Sequence, residues 1–284
     1  MNNYVRIPLR IASYLWVPIK TLFLVYAVIF SIVGTIGLYL GYHYIMVPVR
    51  QVKFLRDHNP VETSYMIHYR ATLGHKDTVR QIFVPLDSIS PNLRDAVLAA
   101  EDDGFYTHPG FDIETMLSAL EYNRTARGIK RGGSTITQQL AKNLFLTNEK
   151  TFERKFKELG YTLLLEKYLG KQRILELYLN YAQWGKTLFG CEAASRRYFK
   201  KSCGNLSREE AARLAAVLSM PLRVSPLNTG SSFMRQRIAV IANNLYLHRQ
   251  INDSGYTRLT GASPPGKDSS AAEDSASDDE DGMR

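Results

Sequence analysis

The sequence predicts a mainly α-helical protein with one N-terminal membrane-spanning helix, and three observations carry that expectation. Residues 21–47 contain no Lys, Arg, Asp or Glu, and about 20 apolar residues suffice to cross the hydrocarbon core of a bilayer. Downstream, apolar residues recur three and four positions apart behind residues that cap helix starts. No alternating apolar–polar run dominates, so strands should be few.

Residues 1–20 form a short basic N-terminus ahead of the span at 21–47. A secretory signal fits less well, because its apolar region runs about 7–15 residues and no small-x-small cleavage site follows. Arg6, Arg10 and Lys20 precede the span while Arg50, Lys53 and Arg56 follow it, so the positive-inside bias nearly cancels and leaves orientation open. Tyr39, Tyr42 and Tyr44 fit an interfacial belt.

Residues 48–83 read as a membrane-proximal linker in which "QIFVPL" is a short extended piece. A folded domain is expected over 84–250. Ser90 and Pro91 supply an N-cap and a first helical residue ahead of Leu93, Val97 and Leu98. That helix runs into the acid-rich stretch "AAEDDGFYTHPGFD", where Asp112 caps another helix with Ile113, Met116, Leu117 and Leu120 on one face. After Gly132 and Gly133, Thr135 and Gln138 form a capping box. Phe152, Phe156, Leu159 and Leu163 recur at helical spacing beside a basic face. Further helices are expected at 172–181, 192–199, 208–219 (Ser207 as cap, Glu210 closing the box) and 233–249. Residues 251–284 read as a disordered acidic tail, too polar to bury enough apolar area to offset its ordering entropy.

The formal charge is +9, but from residue 261 onward there are seven acids against two bases, leaving +14 for residues 1–260. Such a surplus suits an anionic partner: phosphate, nucleic acid or an acidic membrane surface. The two cysteines, Cys191 and Cys203, cannot alone build a metal site or a disulfide framework, and free buried thiols are the simpler reading.

Three segments carry chemistry. Glu101 and Asp102 lie at the end of an apolar helix, where burial raises a carboxylate pKa and the helix C-terminus disfavours its ionised form. A glutamate so placed can act as a general base or acid near neutral pH, although in this stretch alone a solvated acid cluster is the commoner outcome. "RGGSTITQQLAKN" combines two glycines with Ser134, Thr135, Thr137, Gln138 and Gln139, a density of neutral hydrogen-bonding groups that suits sugar hydroxyls or only a helix cap. It matches neither a Walker nor a dinucleotide-binding glycine pattern. "NEKTFERKFKELG" sets Lys150, Arg154 and Glu158 at successive i, i+4 positions with Lys155 close by, which reads as surface pairing or as a phosphate-binding cluster beside a second carboxylate.

Together these segments resemble the peptidoglycan glycosyltransferase family, the lysozyme-like transglycosylases that polymerise lipid-linked disaccharide-peptide. The sequence shows E-D-x-x-F-x-x-H-x-G-x-D at 101–112, G-G-S-T-I-T-Q-Q-L-x-K-N at 132–143, R-K-x-x-E at 154–158, R-I-L-E-L-Y-L-N at 173–180 and "EAARLAAVLSMP" at 210–221, in the family's order and spacing. The resemblance implies a two-lobed lysozyme-like domain over 84–250, with a cleft between a larger lobe and a smaller membrane-proximal one.

It implies that Glu101 is the general base on the acceptor sugar's 4-hydroxyl and Glu158 a second carboxylate near the departing pyrophosphate. Gly133, Ser134, Thr135, Gln138, Gln139 and Asn143 fall in the substrate-cleft motif. Lys142 and Arg154 match diphosphate-binding positions, with Lys155 and Lys157 as weaker candidates. Lys150 stands where many members carry arginine, so the charge survives but two-pronged phosphate contact does not. Asp102, Phe105, His108 and Gly110 are expected to hold the turn. No cofactor is required by this reading. A divalent cation (Mg or Mn) bridging Glu158 and the diphosphate is the one metal role it admits.

The implied partners are lipid II, the lipid-linked glycan chain, the membrane, and cell-wall synthesis or division proteins, with no nucleic acid. The implied location is the bacterial inner membrane, single-pass, with the catalytic domain outside the cytoplasm. No S-x-x-K occurs, and no room remains after Arg249 for a transpeptidase domain, so a monofunctional, inverting enzyme is expected. Two rivals stay open at this point: a muramidase, which would also use paired carboxylates, and an inactive membrane scaffold recruiting partners through its tail.

Overall fold

The computed structural model describes residues 6–74, 77–125, 132–147 and 151–265. Lys150 and the acidic run at 268–281 lie outside these residues.

The chain divides after Gln51. The first unit holds α1 (Arg6–Gly41) and a π-turn (Tyr42–Met46), and α2 (Val47–Phe54) continues the helix across the boundary. At about 1.5 Å per residue this rod exceeds the roughly 30 Å of a bilayer core, and from Trp16 onward it is apolar enough to span one. Leu22, Phe23, Phe30 and Leu38 all point outward with no protein to cover them. That pattern suits a lipid-facing helix.

The second unit is built of helices around one core, with a small sheet at its edge. Chain order runs α3 (Ser64–Ala71), β1 (Arg80–Gln81), α4 (Pro91–Glu101), α5 (Ile113–Thr125), α6 (Ile136–Phe145), α7 (Phe152–Tyr168), α8 (Gly170–Tyr181), β2 (Gln183–Gly185), β3 (Leu188–Phe189), α9 (Cys191–Phe199), α10 (Arg208–Ala216), α11 (Ser232–Leu247) and α12 (Asp253–Thr260). β3 lies centrally, parallel to β1 (Arg80 opposite Leu188) and antiparallel to β2 (Gln183 opposite Phe189). α4 packs on α10 and α11, and α6 packs on α7 and α8. Leu93, Ala96 and Val97 bury one face of α4, while Trp184, Tyr178, Tyr181, Phe105 and Phe189 supply the largest buried side chains.

Both predicted capping boxes form: the Thr135 and Ser207 side chains accept from the backbones of Gln138 and Glu210, whose side chains reach back. Ser90 precedes α4 as expected, but its hydroxyl donates to Leu206 O at 3.3 Å instead of capping the helix.

Two expectations need correction. Residues 48–83 are not merely a linker: Val52, Leu55 and Met66 are buried in the core. Arg173 holds this segment, donating to Leu55 O and His58 O, each at 2.9 Å. Residues 251–260 do not belong to a disordered tail. Ile251 is buried, and α12 is capped by Asn252 and packs Tyr256 against α11, where its hydroxyl donates to Asn243 Oδ1 at 2.7 Å. The apolar stripes of two helices, whose cover the sequence left open, are not core. Ile113, Met116 and Leu117 on α5 are exposed, as are Phe152 (89%), Phe156 (76%), Leu159 and Leu163 on α7. Helical periodicity reports a shared face, and it does not say what covers that face.

Tyr256→Ala should destabilise the domain by about 3 kcal/mol, read by urea unfolding in detergent. A change below about 0.5 kcal/mol would show that α12 is not part of the folded unit.

Candidate active site

α4 ends on Glu101, and α11 closes the carbonyls of that end. Asn244 Nδ2 donates to Ala99 O at 2.8 Å and Arg237 Nη2 to Ala100 O at 3.0 Å. The same Nη2 reaches Glu101 Oε1 at 3.1 Å. Oε2 accepts from Gln139 Nε2 at 3.0 Å, and Gln139 Oε1 accepts from the Tyr178 hydroxyl at 3.1 Å. A phenol can only donate to that amide oxygen, so the chain from α8 through α6 fixes which way Gln139 faces. Burial pushes the Glu101 carboxyl above its ordinary value, while Arg237 and Gln139 pull it back. Burial also pushes the Tyr178 hydroxyl far up, with the Glu101 and Asp102 charges adding to it, which keeps the phenol a donor.

Asp102 has a different task. Its Oδ1 accepts from His108 Nε2 at 2.8 Å and its Oδ2 from the backbone N–H of Ile136, the first residue of α6, at 2.9 Å. His108 Nδ1 accepts from Gly110 N at 3.1 Å, which places the imidazole proton on Nε2. A carboxylate at a helix N-terminus is favoured by the helix dipole, although burial still pushes the Asp102 carboxyl up overall.

The turn is pinned from below. Thr135 Oγ1 donates to Gly110 O at 2.6 Å, and Lys171 Nζ donates to His108 O at 2.8 Å while sitting over the buried Phe105 ring. Lys171 also pairs with Glu166 at 2.8 Å, whose Oε1 accepts from Thr137 at 2.6 Å. Gly110 is required here: its φ is +95°, and an added Cβ would lie 2.7 Å from Glu166 Cγ.

The second carboxylate, Glu158, is buried on α7 between two cations of its own helix. Oε2 pairs with Arg154 Nη1 at 2.6 Å, and Oε1 pairs with Lys155 Nζ. Lys142 on α6 lies within electrostatic reach of both Glu158 and Glu101. Burial pushes its ammonium below the ordinary lysine value, opposed by Glu158 and reinforced by Arg154 and Lys155. Three cations thus crowd one acid, and the local surplus is positive. Among the described residues the Lys142 ammonium makes no hydrogen bond.

The predicted site residues therefore divide. Glu101, Gln139, Lys142, Arg154, Lys155 and Glu158 share one electrostatic neighbourhood. Thr135 and Gln138 are buried and spend their polar groups on the capping box, so they build the wall of the site. Gly133 lets its loop approach α5, where an added Cβ would lie 3.2 Å from Met116 Cα. Ser134 is exposed and Asn143 half-buried. Lys157 pairs with Glu153 at 2.7 Å, away from Glu158. Lys150 lies outside the described residues. Sequence reasoning missed Arg237, Tyr178, Asn244, Lys171 and Glu166. Each sits in an ordinary amphipathic helix, and only long-range packing brings it to the site.

Gly110→Ala should cost about 3 kcal/mol of unfolding free energy, whereas Gly132→Ala, whose Cβ meets nothing within 4 Å, should change it by under about 0.5 kcal/mol. Equal effects in denaturant melts would contradict this account of the turn.

The chain is similar to known proteins over most of its folded domain. A family model described as transglycosylase matches residues 69–246. A biosynthetic peptidoglycan transglycosylase of Thiobacillus denitrificans is 46% identical over 188 residues, covering 65% of this chain and 81% of that protein. The protein of that description from Nitrosospira multiformis is 45% identical over 174 residues, 60% and 76% of the two chains. Its counterpart in Burkholderia multivorans is 43% identical over 190 residues, 66% and 77%. The matched span takes in half-buried Glu101, buried Glu158 and the cations around Glu158, and on the strength of that match the chain belongs to the transglycosylase family.

Proposed function

We propose that the chain is a monofunctional, inverting peptidoglycan glycosyltransferase that polymerises lipid II, with the growing lipid-linked glycan as donor. The observation that carries this reading is the pairing of a desolvated, hydrogen-bonded Glu101 with the cluster of cations around Glu158, linked electrostatically by Lys142. Glu101 takes the proton of the acceptor 4-hydroxyl as that oxygen attacks the donor's anomeric carbon from the face opposite the leaving group. The bond from carbon to pyrophosphate oxygen breaks, and the lipid diphosphate departs with the bonding electrons. Lys142, Arg154 and Lys155 stabilise the charge that develops there, and Glu158 holds the latter two in place.

The fit to a resident divalent ion is poor. Both Glu158 oxygens are engaged by Arg154 and Lys155, and no group of three acidic, histidine or cysteine side chains converges among the described residues. A reaction that makes no pyrophosphate, such as muramidase hydrolysis, has no use for three clustered cations.

The apolar faces of α5 and α7 and the N-terminal anchor support action on a lipid-linked substrate at a membrane. Consumption of lipid II outside the cytoplasm would place residues 1–20 inside and the domain outside.

In a lipid II polymerisation assay, Glu101→Gln should lose at least about 10³-fold in rate and Glu158→Gln about 10–10²-fold, with no effect of a chelator on wild type. Near-normal polymerisation by Glu101→Gln, or release of muropeptides from sacculi without lipid II turnover, would refute the reading. The pH profile gives a second test. The base must be ionised, so activity falls as pH drops through the Glu101 pKa. Arg237 lowers that pKa, so Arg237→Gln should move the acid limb of kcat/KM to higher pH, and Arg237→Lys should move it less. An unmoved limb would show that Arg237 does not govern the base.

A further inference from the structure

Cys191 opens α9 and Cys203 opens the short 3-10 turn that follows it, twelve positions later. Both are fully buried, and their sulfurs lie 3.5 Å apart. The backbone around them is already locked. The buried Glu192 accepts from Cys203 N at 2.7 Å and from the Ser202 hydroxyl at 3.0 Å. Gly204 packs so closely that an added Cβ would lie 2.6 Å from Ser88 O. Closing the sulfurs to bonding distance requires an approach of about 1.5 Å.

We propose that Cys191 and Cys203 are joined by a disulfide in the mature protein, formed while the domain folds. The inference rests on the extracytoplasmic orientation proposed above, because that compartment oxidises adjacent thiols and the cytoplasm does not. In the exchange the two thiols give up two protons and two electrons, one S–S bond forms between them, and the disulfide of an oxidising thiol–disulfide exchange protein is reduced to its dithiol. Burial pushes the Cys191 thiol far above its ordinary value, which removes the thiolate that exchange needs. Both sulfurs are also fully buried in the folded domain, beyond the reach of an exchange protein, so oxidation precedes burial.

The link matters for the site because Cys203 O accepts from the N–H of Ser90, the N-cap of α4, at 3.3 Å. A disulfide would staple α9 to the base of the helix that ends on Glu101.

The test uses the full-length protein in native membranes, acid-quenched and alkylated with N-ethylmaleimide under denaturing conditions before and after reduction. Peptide mass spectrometry should find neither cysteine alkylated before reduction, both afterwards, and a cross-linked peptide pair lighter by two hydrogens. The unfolding temperature should fall by roughly 5–10 °C on reduction. Protease digestion of the domain in spheroplasts reports orientation separately. Digestion together with two thiols alkylated without reduction would overturn the disulfide alone. Protection of the domain in spheroplasts would overturn the orientation and this inference with it.

Discussion

The site depends on a single side chain that does no chemistry in this account. Asp102 bonds to the His108 ring on one oxygen and to the first N–H of α6 on the other. It thereby joins the C-terminus of α4 to the N-terminus of α6, and those two helices supply Glu101 and Gln139. Without that bridge, the acid and its amide partner would sit on elements free to separate. The supports beneath it, Lys171, Glu166, Thr135 and Thr137, are all buried or half-buried, so their hydrogen bonds act in a medium where losing one is costly.

Glu101 itself is held in tension. Desolvation and its place at a helix C-terminus favour the protonated acid, whereas Arg237 and Gln139 favour the carboxylate. A base that is ionised yet retains proton affinity needs that balance. In the proposed reaction, the cations around Glu158 would serve the other end, where charge leaves with the diphosphate.

Much of this was legible in the sequence where the signal was local. The charge-free run at 21–47, the two capping boxes, and the starts of α4 and α5 follow from neighbouring residues and are found where expected. Glu101, Lys142, Arg154 and Glu158 stood out because their motifs are contiguous. Residues that act across the fold did not. Arg237 lies 136 positions from Glu101, and nothing in "FMRQRIAV" distinguishes it from a surface arginine. Periodicity left one matter open: the apolar stripes of α5 and α7 are regular, but the spacing does not say what covers them, and Phe152 and Phe156 stay exposed. Val52, Leu55 and Met66 went unread because three scattered apolar residues make no pattern.

The most direct measurement is a ¹³C NMR titration of glutamate side-chain carboxyls in the detergent-solubilised protein, with Glu101→Gln identifying the resonance. The account predicts that Glu101 titrates above the ordinary value of 4.5. Titration at or below that value would contradict a desolvated base at this position.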